Sequence, residues 1–220
     1  MNRSLNRPAK RPLNHSLGMV CSLGALACTV LFLVGLLFAW PTLSFAVCLF
    51  LSWFYVGLAC VYAHYAPDEC KAAATAGIAI AVVYSVFTNL VYYTQLTTVA
   101  QGDADAAVLK LLTFEPGSWT FGFDLLGYGL MALSTFLIGL ALTANTRRDR
   151  ALRFLLLLHG AFFPFCVAAP ALGLFRPNER AAELGGTLAL MGWCLYFAPI
   201  LVLSYLHFRD KVAVADKSTQ

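Results

Sequence analysis

Six separate stretches of this chain stay apolar for longer than the ~20 residues a helix needs to cross the hydrocarbon of a bilayer. They run over about 17–40, 43–63, 72–97, 118–144, 152–175 and 184–208. A backbone in lipid must close its own hydrogen bonds, so each run is expected to be a helix. Composition excludes the soluble alternative. With 60% hydrophobic and only 12% charged residues, a chain of 220 residues cannot build a hydrated surface. The expected fold is therefore all-α: a polytopic membrane bundle of six transmembrane helices.

The first two runs are separated only by Trp40-Pro41-Thr42, which reads as a tight hairpin because Pro41 cannot continue a helix. The fourth run follows the turn Pro116-Gly117-Ser118, so its helix can begin anywhere from Ser118 to Phe123. The stretch 17–40 is too long for the apolar core of a signal peptide and is expected to remain as the first helix. Residues 1–16 and 209–220 are expected to be polar tails, the first basic and disordered, flanking a transmembrane domain at 17–208.

Basic residues set the expected orientation. Arg3, Arg7, Lys10, Arg11, Lys71, Arg147, Arg148, Arg150, Arg153, Arg209, Lys211 and Lys217 fall on one side of six alternating spans. Lys110, Arg176 and Arg180 fall on the other. The positive-inside rule then places both termini in the cytoplasm (N-in, C-in). The net charge of +4 is a topology signal. Nucleic acid is not an expected partner, because the basic residues are scattered between spans. The lipid bilayer is the expected surrounding partner.

Seven cysteines show no Cys-x-x-Cys and no pair in an external loop. They read as small buried hydrophobes and not as a disulfide or metal framework. The long connection 98–117 is expected to hold a short helix capped by Asp103 or Asp105, with Ala107, Val108, Leu111 and Leu112 as its apolar face. Such a segment either lies on the membrane surface or folds over a cavity mouth.

Within the third run, Ser85, Thr88, Asn89, Tyr92 and Gln95 share one helical face, while Ala73, Gly77 and Ala81 form a small-residue ridge nearer its start. The polar face must meet protein or water. It either lines a pocket in the external half of the bundle or pairs across helices.

Asp124 is the only acidic side chain in any of the six runs. Counting ~1.5 Å of rise per residue from each helix midpoint, it lies ~10 Å to the external side of the membrane centre, level with Tyr92 and Gln95. Tyr128 lies one turn deeper on the same face. Two readings compete for Asp124. In a helix starting near Phe123 it caps first-turn amides. In a longer helix it is a buried carboxylate kept for a cation or a proton.

His159 is the other ionisable group deep in a span, and the same count puts it ~17 Å along the axis from Asp124, too far for a catalytic pair. It is either a second polar site or a satisfied core residue. Pro164 is expected to kink the helix beside it and free the carbonyl of Gly160, and Pro170 and Pro199 are expected to break the helices again. His64 and His207 lie near helix ends, so paired haem ligation is not expected, and no cofactor, metal or catalytic residue is assigned.

The segments YSVFTNLVYYTQLTTV and FDLLGYGLMALSTFLIGLAL resemble segments of bacterial six-helix integral membrane proteins of unassigned activity. The resemblance rests on Asn89, Gln95, Asp124, Gly127 and Tyr128. It implies a fold type and a bacterial inner membrane, and it implies no chemistry.

The leading functional expectation is a protein that binds, senses or carries a small cationic or amphipathic ligand, or a proton. Its pocket would be lined by Asn89, Tyr92, Gln95, Asp124 and Tyr128. The alternatives are an assembly subunit, homo- or hetero-oligomeric, whose polar face binds a partner, and a membrane enzyme acting on lipid or quinone. An enzyme is the less favoured class, since no H-E-x-x-H, G-x-S-x-G or acid pair is present.

Overall fold

The computed structural model describes the backbone of residues 13–175 and 180–217, and side chains over 13–175 and 184–210. The tails expected at 1–12 and 218–220, and Arg176, lie outside the described residues.

Every element among the described residues is helical: α1 (Leu13–Leu37), α2 (Pro41–His64), α3 (Lys71–Thr94), α4 (Ala106–Leu112), α5 (Trp119–Ala141), α6 (Arg147–His159), α7 (Phe162–Ala171) and α8 (Arg180–Lys217). Six spans are long and apolar enough to cross a membrane, with α6 and α7 together forming the fifth. Helix α1 starts at Leu13, four residues before the expected boundary, and α8 continues to Lys217.

The hairpin between α1 and α2 is as tight as the sequence suggests. Trp40 N donates to Gly35 O at 2.8 Å, Ala39 takes a left-handed φ of 49°, and Pro41 opens α2 where a missing amide costs nothing. The third span ends in a turn of π-helix, Gln95–Val99, which widens the coil and swings Gln95 towards the following loop.

The spans close into a ring. Helix α1 packs on α2, α2 on α3, α3 on α5, and α5 on both α6 and α7. Helix α8 then packs on α6 and returns to α1. The small-residue ridge of α3 makes the α3–α5 contact possible. Gly77 sits so close that a Cβ would lie 3.2 Å from Ile138 Cγ1, and the Ser134 hydroxyl donates to Gly77 O at 2.7 Å. Large apolar side chains such as Leu23, Phe50, Val86, Phe154 and Leu195 stay exposed on the outside, where lipid covers them.

One end of the ring is tied by polar contacts. Thr146 and Asp149 form a reciprocal capping box at the start of α6, and the second Asp149 oxygen meets His207 Nδ1 of α8 at 2.6 Å. Tyr62 donates to Ser204 at 2.6 Å, and Lys71 donates to the carbonyls of Ala63 and His64, each at 3.2 Å. The α1–α2 hairpin, α4 and Asp124 belong to the other end.

Candidate functional site

Helix α5 begins earlier than the capping reading of Asp124 requires. Ser118 is the N-cap and accepts from Phe121 N at 3.2 Å. Asp124 is thus the sixth residue of the helix, one full turn past the free amides. It is 4% exposed, and its Oδ1 is buried without a hydrogen-bond partner. The Tyr92 hydroxyl faces the carboxylate but donates to Tyr128 Oη at 3.4 Å, and Tyr128 in turn meets Cys48 Sγ at 3.6 Å. Helix α3 therefore presents hydroxyl groups to Asp124 and no cation.

On its other side Asp124 borders a cavity of about 310 Å³. Three helices build its walls, α5 and α8 each with a face at the spacing i, i+3, i+4, i+7 and α7 with one at i, i+3, i+4. From α5 come Phe121, Asp124, Leu125 and Tyr128. Helix α7 supplies Phe162, Phe165 and Cys166, and α8 supplies Gly186, Ala189, Leu190 and Trp193. The segment Phe114-Glu115-Pro116 and Phe175 form the remaining wall. Apart from Asp124 the walls are mostly apolar and aromatic. That composition fits sites that bury an organic ligand and fix it by few polar groups.

The recess thus lies between the fourth, fifth and sixth spans, and not between the third and fourth. Of the five residues expected to share a pocket, Asp124 and Tyr128 line the cavity. Tyr92 stands behind them in the core, 2% exposed. Gln95 is diverted to the loop: its Nε2 donates to Leu112 O at 2.7 Å and its Oε1 accepts from Phe114 N at 3.0 Å. Asn89 faces away altogether. Its Nδ2 donates to Ser52 Oγ at 3.0 Å and to Ser85 O at 2.6 Å, joining α3 to α2 beside a shallow groove on the lipid-facing surface.

The loop itself lies against the cavity after its short helix. Asp105 caps α4 by accepting from Ala107 N at 2.9 Å, and Val108 and Leu111 of α4 remain exposed, as on a surface-lying helix. The residues after α4 turn inwards, and the rings of Phe114, Phe121 and Phe175 pack in series, 5.6 and 5.2 Å between centroids.

His159 is a satisfied core residue. It is 0% exposed, Trp193 Nε1 donates to its Nε2 at 3.0 Å, and its Nδ1 meets Thr135 Oγ1 at 2.7 Å. Because the indole can only donate, Nε2 must accept, which leaves Nδ1–H as the donor to Thr135. The Thr135 hydroxyl passes its own proton to Ala132 O at 2.8 Å. The ring is neutral by construction.

Pro164 does not leave the Gly160 carbonyl free: Phe163 N donates to it at 3.1 Å. The fifth span instead breaks at Gly160-Ala161, where a Cβ on Gly160 would come within 2.8 Å of Phe136 Cβ. Helix α7 runs through Pro170, and α8 runs through Pro199.

Among the described residues no group of three or more metal-ligating side chains comes together. Sequence reasoning missed Trp193, which joins the cavity wall to His159, and the aromatic series over the loop. The faces at 162, 165, 166 and at 186, 189, 190, 193 carried the helical period, but in uniformly apolar helices every face does. Fold and cavity together define a multi-pass helical membrane protein with one buried carboxylate at the wall of an aromatic recess. No family model, curated protein or solved structure matches this chain, so function must be argued from its own residues.

Proposed function

We propose that this chain is a bacterial inner-membrane protein that binds and carries or senses a small amphipathic cation, with Asp124 as the counter-ion. The single observation carrying the reading is a buried carboxylate, Asp124, on the wall of an aromatic cavity, with no cation beside it and its Oδ1 without a hydrogen-bond partner. A buried carboxylate oxygen without a donor is costly, and a ligand that brings positive charge removes that cost. The rings of Tyr128 and Trp193, 5.1 Å apart and edge to face, suit the same ligand through cation–π attraction. The orientation proposed is both termini in the cytoplasm, following the basic residues, which puts the cavity in the external half.

The test is equilibrium binding of a hydrophobic alkylammonium to the purified full chain, set against a neutral alcohol of the same length. The wild-type chain is expected to prefer the cation by at least about tenfold, or ~1.4 kcal/mol, and Asp124→Asn is expected to abolish that preference. Equal binding of amine and alcohol by the wild-type chain would end the proposal.

A second reading has one specific observation behind it. The groove beside Ser85 and Asn89, lined also by Trp53 and Tyr93, suits a partner's helix in an assembly. Purification in mild detergent separates the two: a stoichiometric companion protein favours assembly. The enzyme reading gains less, because the one histidine near the cavity has both ring nitrogens engaged.

A further inference from the structure

We infer that the cavity fills sideways from the bilayer, and that its occupant is a single-chain amphiphilic amine. The ammonium would meet Asp124, and the alkyl chain would lie in the gap between α7 and α8. The inference rests on the cation-binding reading above and adds the ligand's class and its route.

Three observations carry it. The first is that the membrane-surface side is roofed. Phe114, Glu115 and Pro116 cover the cavity, and Phe114 packs through Phe121 to Phe175. Gln95 pins this roof through the Phe114 amide, and the Thr120 hydroxyl donates to the carbonyls of Leu112, at 3.0 Å, and Thr113, at 3.2 Å.

The second is that the side wall is open. Helix α7 packs on α5, and α8 packs on α1 and α6, but among the described residues α7 and α8 make no comparable contact with each other. Phe165 on α7 and Ala189 on α8 both line the cavity while remaining exposed, Phe165 by 53%. A residue on the outer surface of a span faces lipid, so these two mark a slot into the hydrocarbon.

The third is the order of chemistry along that slot. Phe165 and Ala189 at the rim are apolar, and Leu125, Leu190 and Phe162 continue the apolar lining. The carboxylate of Asp124 waits at the inner wall, beside the ring of Tyr128. An amphiphile arriving head first from the membrane meets its polar partner only once it is inside. At about 310 Å³ the recess lies at the small end of organic-ligand sites, so it takes a head group and a few carbons and leaves the rest of a chain in lipid.

The experiment follows fluorescence quenching of Trp193 by a chain-brominated alkylamine, using the full chain in vesicles with Trp40, Trp53 and Trp119 replaced by Phe. Ala189→Phe narrows the slot and is expected to slow association at least tenfold. Phe165→Ala widens it and is expected to speed association. Glu115→Phe, on the roof, is expected to leave the association rate unchanged. A water-soluble short-chain amine with the same head group is expected to quench far less at equal membrane concentration. Thermal melting of each variant checks that it is folded, and the opposite signs expected at 165 and 189 cannot both come from misfolding. If quenching depends on Asp124 but responds to Glu115→Phe and ignores positions 165 and 189, filling is from water: this inference falls and cation binding stands. If quenching does not depend on Asp124, both fall.

Discussion

Asp124 and His159 are both buried ionisable side chains inside spans, and their surroundings differ in one respect. Every polar atom of the His159 ring has a fixed partner, whereas Asp124 keeps an Oδ1 without a hydrogen-bond partner and has only the Tyr92 hydroxyl facing its carboxylate. The first is therefore part of the scaffold, and its loss is expected to act on stability. His159→Leu strands the Trp193 indole N–H and removes the donor to Thr135 Oγ1, and is expected to cost roughly 1–2 kcal/mol, read as a lowered midpoint of unfolding in detergent. Gln95 illustrates the third case, a polar side chain spent on positioning. Gln95→Leu leaves Phe114 N without its acceptor and Leu112 O with Thr120 alone, and is expected to loosen the roof. A lowered midpoint of unfolding in detergent, with the amine-over-alcohol preference and the rate of filling intact, is the readout, since neither Asp124 nor the slot is touched. Sequence alone pointed to Asp124 and Tyr128 through the charge in an apolar run and the shared helical face. It could not separate Asn89 and Gln95 from them. Residues six apart on one helix lie only about 120° apart around the axis after whole turns are removed, yet here one meets α2 and the other meets a loop.

Among elements, the close helix crossings are set by glycines whose neighbours leave no room. Gly160 is the tightest around the site, because it lets the fifth span break and still follow α5 on both sides of the break. Gly160→Leu is expected to destabilise by about 1–3 kcal/mol, since Phe136 Cβ cannot rotate out of the way. Gly192→Leu, where nothing stands within 4 Å of a Cβ, is expected to be near neutral in the same melt. Element existence was legible from hydropathy for all six spans, because ~20 apolar residues have few alternatives in a bilayer. The bend of the fifth span beside His159 was legible from Pro164, whose missing amide falls on Gly160; that the span would split into two helices, with Phe163 N taking the Gly160 carbonyl, was not. Nor was the π-helical turn at Gln95 legible, since its cause is the loop contact that the turn itself creates.

For the whole molecule, the basic side chains of Lys71, Arg147, Arg148, Arg150, Arg153 and Arg209 gather where helix ends are tied by His207, Asp149 and Lys71. The cavity lies toward the opposite end. If the positive-inside rule holds here, tags on both termini are expected to survive protease added to intact spheroplasts and to be cut once the inner membrane is opened. The architecture was legible down to which spans cross. The position of the recess was not, because neighbours in a bundle are chosen by shape complementarity between faces of nearly identical polarity. Ring closure by α1 against α8 carries one more consequence, for biogenesis. The last of the six spans to be synthesised is also the one that supplies Trp193, holds His159 and completes the enclosure of Asp124. Until it inserts, the nascent bundle carries an acid in a recess with one wall missing, so chains stopped after residue 175 should be targets for membrane quality-control proteases while chains carrying the sixth span escape them.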